Sequence, residues 1–158
     1  MAVGNSWTYL LGSDTRKEEL TTTITGTEQK GSFTYFVFES RGSFNPQFVQ
    51  KEYYRAGPSG NIYMFSNDKD VLHANFSKEL NATWNSFSDH IAKITRKNFR
   101  EDTPAGSFDN SLEILYDIPQ AVDDEFIVRF APGVGIASEQ AGYGSRMMLK
   151  SYRLVDSK

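Results

Sequence analysis

Leu72-His73-Ala74-Asn75-Phe76-Ser77-Lys78-Glu79-Leu80-Asn81-Ala82-Thr83-Trp84-Asn85-Ser86-Phe87-Ser88-Asp89-His90-Ile91 is the stretch on which the fold turns. Its apolar residues Leu72, Phe76, Leu80, Trp84, Phe87 and Ile91 are spaced by 4, 4, 4, 3 and 4, the stripe of an amphipathic helix. Periodicity alone predicts a helix over about 70–91. Against it, Leu80-Asn81-Ala82-Thr83-Trp84 matches Val3-Gly4-Asn5-Ser6-Trp7, 77 residues earlier, and no helical stripe surrounds the earlier copy. The two segments hold both tryptophans of the chain. We therefore expect a short helix or turn over 70–76 and a strand near Trp84.

Working outward, two further matches recur in the same order, and a repeat has to be read before anything else because it decides the whole fold. Gly31-Ser32-Phe33 returns as Gly106-Ser107-Phe108 at an offset of 75, with Val37 and Leu112 in step. The segment from Tyr54 through Gly57-Pro58-Ser59-Gly60 to Ile62 pairs with Phe130-Ala131-Pro132-Gly133-Val134-Gly135-Ile136, at offsets of 76 falling to 74. Three collinear matches within three residues of one offset predict a single domain over 1–158 made of two internal repeats, about 3–76 and 80–154. Gly supplies positive φ and Pro fixes φ near −65°, so 57–60 and 132–133 read as hairpin tips. They would join strands around 53–55 and 62–65, and around 126–130 and 134–137.

Between the anchors the pattern has period two. Phe108, Leu112, Ile114 and Tyr116 fall on one side of an extended run, with Asp109, Ser111 and Glu113 on the other, and Arg129 alternates with Phe126, Val128 and Phe130. Residues 20–27 are almost entirely Thr and Ile, which suits a pleated surface and not a helix. Residues 34–38 carry aromatics on both faces, as in a strand covered on two sides. The expected fold is all-β: a tandemly duplicated antiparallel meander of about ten strands. It should curve into a half-barrel or barrel, with at most one short helix near 70–80.

Composition narrows the function classes. The 158 residues are enough for one buried core, and 12 Phe, 8 Tyr and 2 Trp make that core aromatic-rich. A net charge of −3, spread over both halves, offers no basic face to follow phosphates, so nucleic-acid binding is not expected. Having no cysteine removes disulfides, thiol nucleophiles and cysteine-ligated metals. No apolar run is long enough for a transmembrane segment. Met1 and Ala2 run at once into the Val3–Trp7 motif, an abrupt opening from which we expect that a leader has been removed.

These strings resemble a group of bacterial secreted and lipoprotein domains of unknown function. The copies of that group run from a Gly-Asn/Asp-Ser-Trp opening through Pro-Ala-Gly-Thr/Ser-Phe to Tyr-Ala-Pro-Gly-Val-Gly and an acidic residue. The matching segments are Gly4-Asn5-Ser6-Trp7-Thr8-Tyr9, Thr103-Pro104-Ala105-Gly106-Ser107-Phe108, and Phe130-Ala131-Pro132-Gly133-Val134-Gly135 with Glu139 beyond. The chain departs from the pattern at Asn81-Ala82 and at Ser59. The resemblance implies a periplasmic or cell-surface protein, with a lipid anchor on the absent leader as one form of attachment. Curved sheets of similar strand count occur in periplasmic carriers of acyl chains, an analogy of fold only.

No motif specifies catalysis. The two histidines, His73 and His90, lack metal-ligand spacing and read as partly exposed polar residues. No Gly-x-Ser-x-Gly elbow is present. Asp68 and Asp70, and Asp123 and Asp124, are weak calcium candidates in short acidic turns that lack the spacing of an EF-hand loop. No cofactor is expected. The aromatic load carries the remaining signal, because Tyr and Trp favour boundaries that are apolar at one end and wet at the other. Tyr9, Tyr35, Tyr53, Tyr63 and Trp84 are the candidate ligand-binding residues.

Composition and pattern therefore predict a non-catalytic extracytoplasmic binding or scaffold module. As a carrier of an apolar, lipid-like ligand it requires an aromatic cavity or groove between the repeats. As an interaction or adhesion module for a cell-envelope protein it requires a filled core. The remaining alternative, a hydrolase with a carboxylate-based site, requires a pocket holding polar groups of perturbed pKa.

Overall fold

The computed structural model describes residues 1–13 and 16–155. Twelve strands form one antiparallel sheet: β1 (Ser6–Ser13), β2 (Arg16–Lys30), β3 (Phe33–Gly42), β4 (Gln50–Ala56), β5 (Ile62–Ser66), β6 (Lys69–Ala74), β7 (Thr83–Asn85), β8 (Ile91–Thr103), β9 (Gly106–Asp117), β10 (Phe126–Ala131), β11 (Gly135–Ala141) and β12 (Arg146–Arg153). Their order across the sheet is β6-β5-β4-β3-β2-β1-β12-β11-β10-β9-β8-β7. Two six-strand meanders thus lie side by side, joined where β1 pairs with β12. The expected hairpin tips are present, with a short 3-10 turn at Pro58–Gly60 between β4 and β5 and a tight turn between β10 and β11. In the second tip Gly133 and Gly135 take φ of +74° and +116°, a region that L side chains rarely occupy.

The expected helix or turn over 70–76 is not formed; most of that segment is strand β6. The reason lies in two local signals. Asn67 and Asp68 both adopt positive φ, 50° and 58°, as a two-residue type I′ hairpin demands, and this commits the next residues to pair with β5. After β6, the Asn75 side-chain oxygen accepts the backbone N–H groups of Ser77 and Lys78, both at 3.1 Å. Such capture competes with helical bonding. Positive φ at Asn81, Ser88 and Asp89 then divides the apolar stripe among a loop, β7, a 3-10 turn and β8. Among the described residues no helix is long and apolar enough to cross a membrane.

The sheet curls until its first and last strands, β6 and β7, come together, and side chains of β7 and β9 rather than a ladder bond to β6 across the seam. The Trp84 indole Nε1 donates to the Leu72 carbonyl at 3.1 Å, and the Tyr116 hydroxyl donates to the His73 carbonyl at 3.0 Å. Trp84→Phe keeps most of the packing and removes one of these bonds. Urea unfolding followed by Trp7 fluorescence should show a loss of about 1 kcal/mol; an unchanged midpoint would mean that the seam closes by packing alone.

Apolar packing forms two clusters. One gathers Ala92, Ile94, Leu112, Ile114, Tyr116, Val128 and Phe130; the other gathers Trp7, Tyr9, Ile24 and Leu149. Phe108 packs with the second cluster and not with Leu112, because Asn110 takes φ 56° and the β8–β9 register shifts nearby. The β8–β9 hairpin folds back over the wall of β10 to β12, where the Ala105 N–H donates to the Leu149 carbonyl at 3.0 Å.

Candidate functional site

The barrel encloses a half-open cavity of about 1310 Å³, lined from Gly12, Ser40 and Gln50 at one end to Asn5, Pro132 and Val155 at the other. Trp7, Tyr9, Phe38, Tyr54, Phe76, Phe87, Phe126 and Phe130 are among the side chains that line it, because one face of each strand turns inward. Trp7 stacks on Phe38 (ring centroids 5.9 Å apart, 13° between planes), and Phe38 meets Tyr54 edge-on at 5.0 Å. Tyr54 reaches the His73 ring at 5.3 Å, His73 stacks on Tyr116 at 5.4 Å, and Tyr116 stacks on Phe126 at 4.9 Å. These contacts form an unbroken belt across β1, β3, β4, β6, β9 and β10. Trp7 is held in it by a bond from Nε1 to the Val134 carbonyl (2.8 Å), and Tyr9 by a longer one to the Ile136 carbonyl (3.4 Å).

Among the polar side chains that line the cavity are His73, a member of the belt, and the carboxyls of Glu52 and Glu139. His73 is 7% exposed, which corrects the expectation of a partly exposed residue. Burial among rings lowers its pKa to about 4, so it is neutral at pH 7. Its Nδ1 is buried without a hydrogen-bond partner among the described residues. Glu52, opposite Phe38 in the β3–β4 ladder, and Glu139, opposite Val128 and Met147, both line the cavity. Burial raises the pKa of each carboxyl, and the charge of Glu52 raises that of Glu139 further. The Tyr54 and Tyr116 hydroxyls are also pushed up, first by burial.

Of the five candidate ligand-binding residues, only Tyr9 lines this cavity. Tyr35, Tyr53 and Tyr63 occupy the other face of the wall, alternating with the inward Phe38, Tyr54, Ile62 and Met64. There the Tyr35 hydroxyl donates to Asp70 Oδ1 at 2.7 Å, Lys30 sits 4.3 Å from the Tyr53 ring centre, and Arg55 sits 4.1 Å from that of Tyr63. Trp84 sits at the seam. Asp68 lies in the β5–β6 turn, and Asp70 forms an ion pair with Arg55. Asp123 and Asp124 lie in the β9–β10 loop, where Asp124 Oδ2 accepts the Ile118 N–H at 2.6 Å. Asp117, Asp124 and Glu125 bring one ligand atom each within 4.8 Å of one another.

The sequence pattern does not mark Trp7, Phe38, Tyr54 and His73 as an inward set. Tyr53 and Tyr54 are adjacent aromatics of the same type, and only the parity of β4 decides which enters the cavity. The one available signal was the inward phase of Phe126, Val128 and Phe130.

No protein-family model matches the chain, and no curated protein matches it in sequence. Two solved structures share its fold over nearly their whole length. One, from Bacteroides fragilis, is named as an exported protein with YmcC-like fold; it has a TM-score of 0.65 and 11% identity, over 97% of each chain. The other, from Parabacteroides distasonis, is named as a lipoprotein; it has a TM-score of 0.59 and 12% identity, over 96% of each chain.

Proposed function

We propose that this protein is a non-catalytic extracytoplasmic carrier that holds an apolar ligand inside its barrel. The observation that carries the reading is the aromatic-belted, half-open cavity of about 1310 Å³. Pockets for drug-sized ligands are about 300–1,000 Å³, so this one has room for a longer chain, and larger β-barrels enclose ligand cavities or channels. A filled-core adhesion module has no use for such a space. A location outside the cytoplasm is supported by the names of the two structural neighbours, an exported protein and a lipoprotein.

The carrier reading is tested with the neutral fluorophore N-phenyl-1-naphthylamine. Ser40 lines the cavity at its Gly12 end, and its Oγ contacts Thr22 Oγ1 at 2.7 Å. Ser40→Trp should obstruct that end. The native protein should bind the dye at micromolar concentration, and Ser40→Trp should weaken it at least about tenfold, with an unchanged circular dichroism spectrum. No binding by the native protein would remove the reading, as would undiminished binding by the folded variant.

A carboxylate-based hydrolase has one observation in its favour, the Glu52 and Glu139 carboxyls within one cavity, both with raised pKa. Glycoside cleavage requires an acid and a second carboxylate on opposite sides of one bond. A screen of chromogenic glycosides decides it: turnover abolished by Glu139→Gln would establish an enzyme, and no turnover of any would leave the carrier.

The duplication is part of the same proposal. Trp7 and Trp84 lie in the first strands of the two meanders, the Gly-Ser-Phe steps enter the third strand of each, and the Gly/Pro tips join the fourth to the fifth. In a crystal structure, superposing β1–β6 on β7–β12 should bring Trp7 onto Trp84, and a mismatch would remove the duplication.

A further inference from the structure

We propose that the ligand is an amphiphile whose polar end is a protonated amine, seated between the carboxylates of Glu52 and Glu139 with its chain along the aromatic belt; this rests on the carrier reading. The first support is an asymmetry in how acidic groups are treated. In the walls, carboxylates have cations beside them: Lys30 with Glu28, Lys51 with Glu39, Arg55 with Asp70, Arg129 with Glu101 and Glu113. The two that line the cavity have none among the described residues. Among the described residues the side-chain bonds to these two are neutral ones to Glu52, a long one from the Gln50 amide at 3.4 Å and one from the Tyr54 hydroxyl. The cationic side chains that line the same cavity are engaged elsewhere, with Lys97 Nζ donating to the Lys78 carbonyl at 2.8 Å and Arg146 lying 3.9 Å from Glu101.

An uncompensated carboxylate in an apolar cavity is costly, which is why both carboxyls titrate above their usual range. A ligand that supplies positive charge and N–H donors removes that cost, whereas an anionic or neutral head does not. The second support is independent. His73, more than nine-tenths buried, lines this cavity with Nδ1 unpartnered among the described residues. Around it Tyr54, Phe87 and Phe130 line the same cavity, and aromatic π faces attract an ammonium group. A neutral imidazole nitrogen and aromatic faces both suit a cationic donor.

A single metal ion fits less well. Among the described residues the one group of three acidic or imidazole ligands that converges within 4.8 Å is Asp117, Asp124 and Glu125, outside this set. Glu52, Glu139 and His73 do not form such a group among the described residues.

The test compares dodecylamine, dodecanol and dodecanoate as competitors of the bound naphthylamine dye at pH 7.5, below their micellar concentrations. The amine should displace the dye at a concentration at least about tenfold lower than the alcohol, with dodecanoate weakest. In Glu52→Gln/Glu139→Gln the ratio of amine to alcohol affinity should fall to near one, while Glu28→Gln, on the outer face, should retain it. Equal or tighter binding of the alcohol or the acid would overturn the proposal, as would an amine preference that survives the double substitution. Failure of all three competitors together with failure of the dye would instead remove the carrier reading on which it stands.

Discussion

Arg129→Met is expected to destabilise the protein by about 3–5 kcal/mol, the usual cost of taking one partner from a buried ion pair. Arg129 alternates with Val128 and Phe130, which face the cavity, so its guanidinium points outward beneath the folded-back β8–β9 hairpin. Its Nε donates to Glu113 Oε2 at 2.8 Å and lies 3.8 Å from Glu101 Oε2. Its side chain is 13% exposed, against 10% for Glu101 and 7% for Glu113. Ser138 and Thr95 complete the network, donating to Glu101 at 2.7 Å and to Glu113 at 2.9 Å. Methionine preserves the bulk and leaves two buried carboxylates with only distant cations, Arg96 and Arg146, at 4.0 and 3.9 Å. Urea unfolding at pH 7.5 measures the loss. Adding Glu113→Gln to Arg129→Met should recover part of it, since one stranded charge disappears. A loss below about 1 kcal/mol, the range of exposed pairs, would show that water reaches the network.

Acidification supplies the second large effect. His73 has a folded-state pKa of about 4 against an ordinary value of 6.5. Above pH 6.5 the ring is neutral in both states and contributes nothing. Between 6.5 and 4 the unfolded chain takes up a proton that the folded protein refuses, so stability falls, and below 4 the whole cost of about 3 kcal/mol is present. The cause is burial among Tyr54, Phe87, Tyr116 and Phe130, with no charged neighbour contributing. The other titratable side chains that line the cavity are Glu52, Glu139, Tyr9, Tyr54, Lys97 and Arg146; the two carboxyls protonate as pH falls and act in the opposite direction. They are common to the native protein and to His73→Phe, and so cancel in the difference. The urea midpoints of the two proteins should run parallel above pH 7 and diverge below it, with His73→Phe the more acid-resistant. Parallel curves down to pH 4.5 would mean that His73 is protonated inside the folded protein.

Much of the architecture followed from short-range chemistry. Gly57-Pro58 and Pro132-Gly133 turn the chain because of the backbone angles they permit, and the Thr/Ile run at 20–27 lies in β2. Residues 70–74 pair as a strand in spite of their apolar spacing because the turn chemistry of Asn67-Asp68 and Asn75, which acts over only a few residues and is present in the sequence, overrides it. The candidate site was far less legible. Tyr35, Tyr53 and Tyr63 are as aromatic as Tyr9 and Tyr54, yet they serve the outer face through Asp70, Lys30 and Arg55.

The sequence by itself determined that the chain is all-β, aromatic-rich, free of cysteine and turned at particular Gly, Pro and Asn residues, because those properties are local to a few neighbouring residues. Only the tertiary structure decided which aromatic faces inward, since a strand covered on both sides has no polar face to set its parity. It alone also placed Glu52 of β4 and Glu139 of β11, 87 residues apart, in one cavity without cationic partners among the described residues. That juxtaposition depends on the closing of a twelve-stranded sheet, which no stretch of sequence encodes alone.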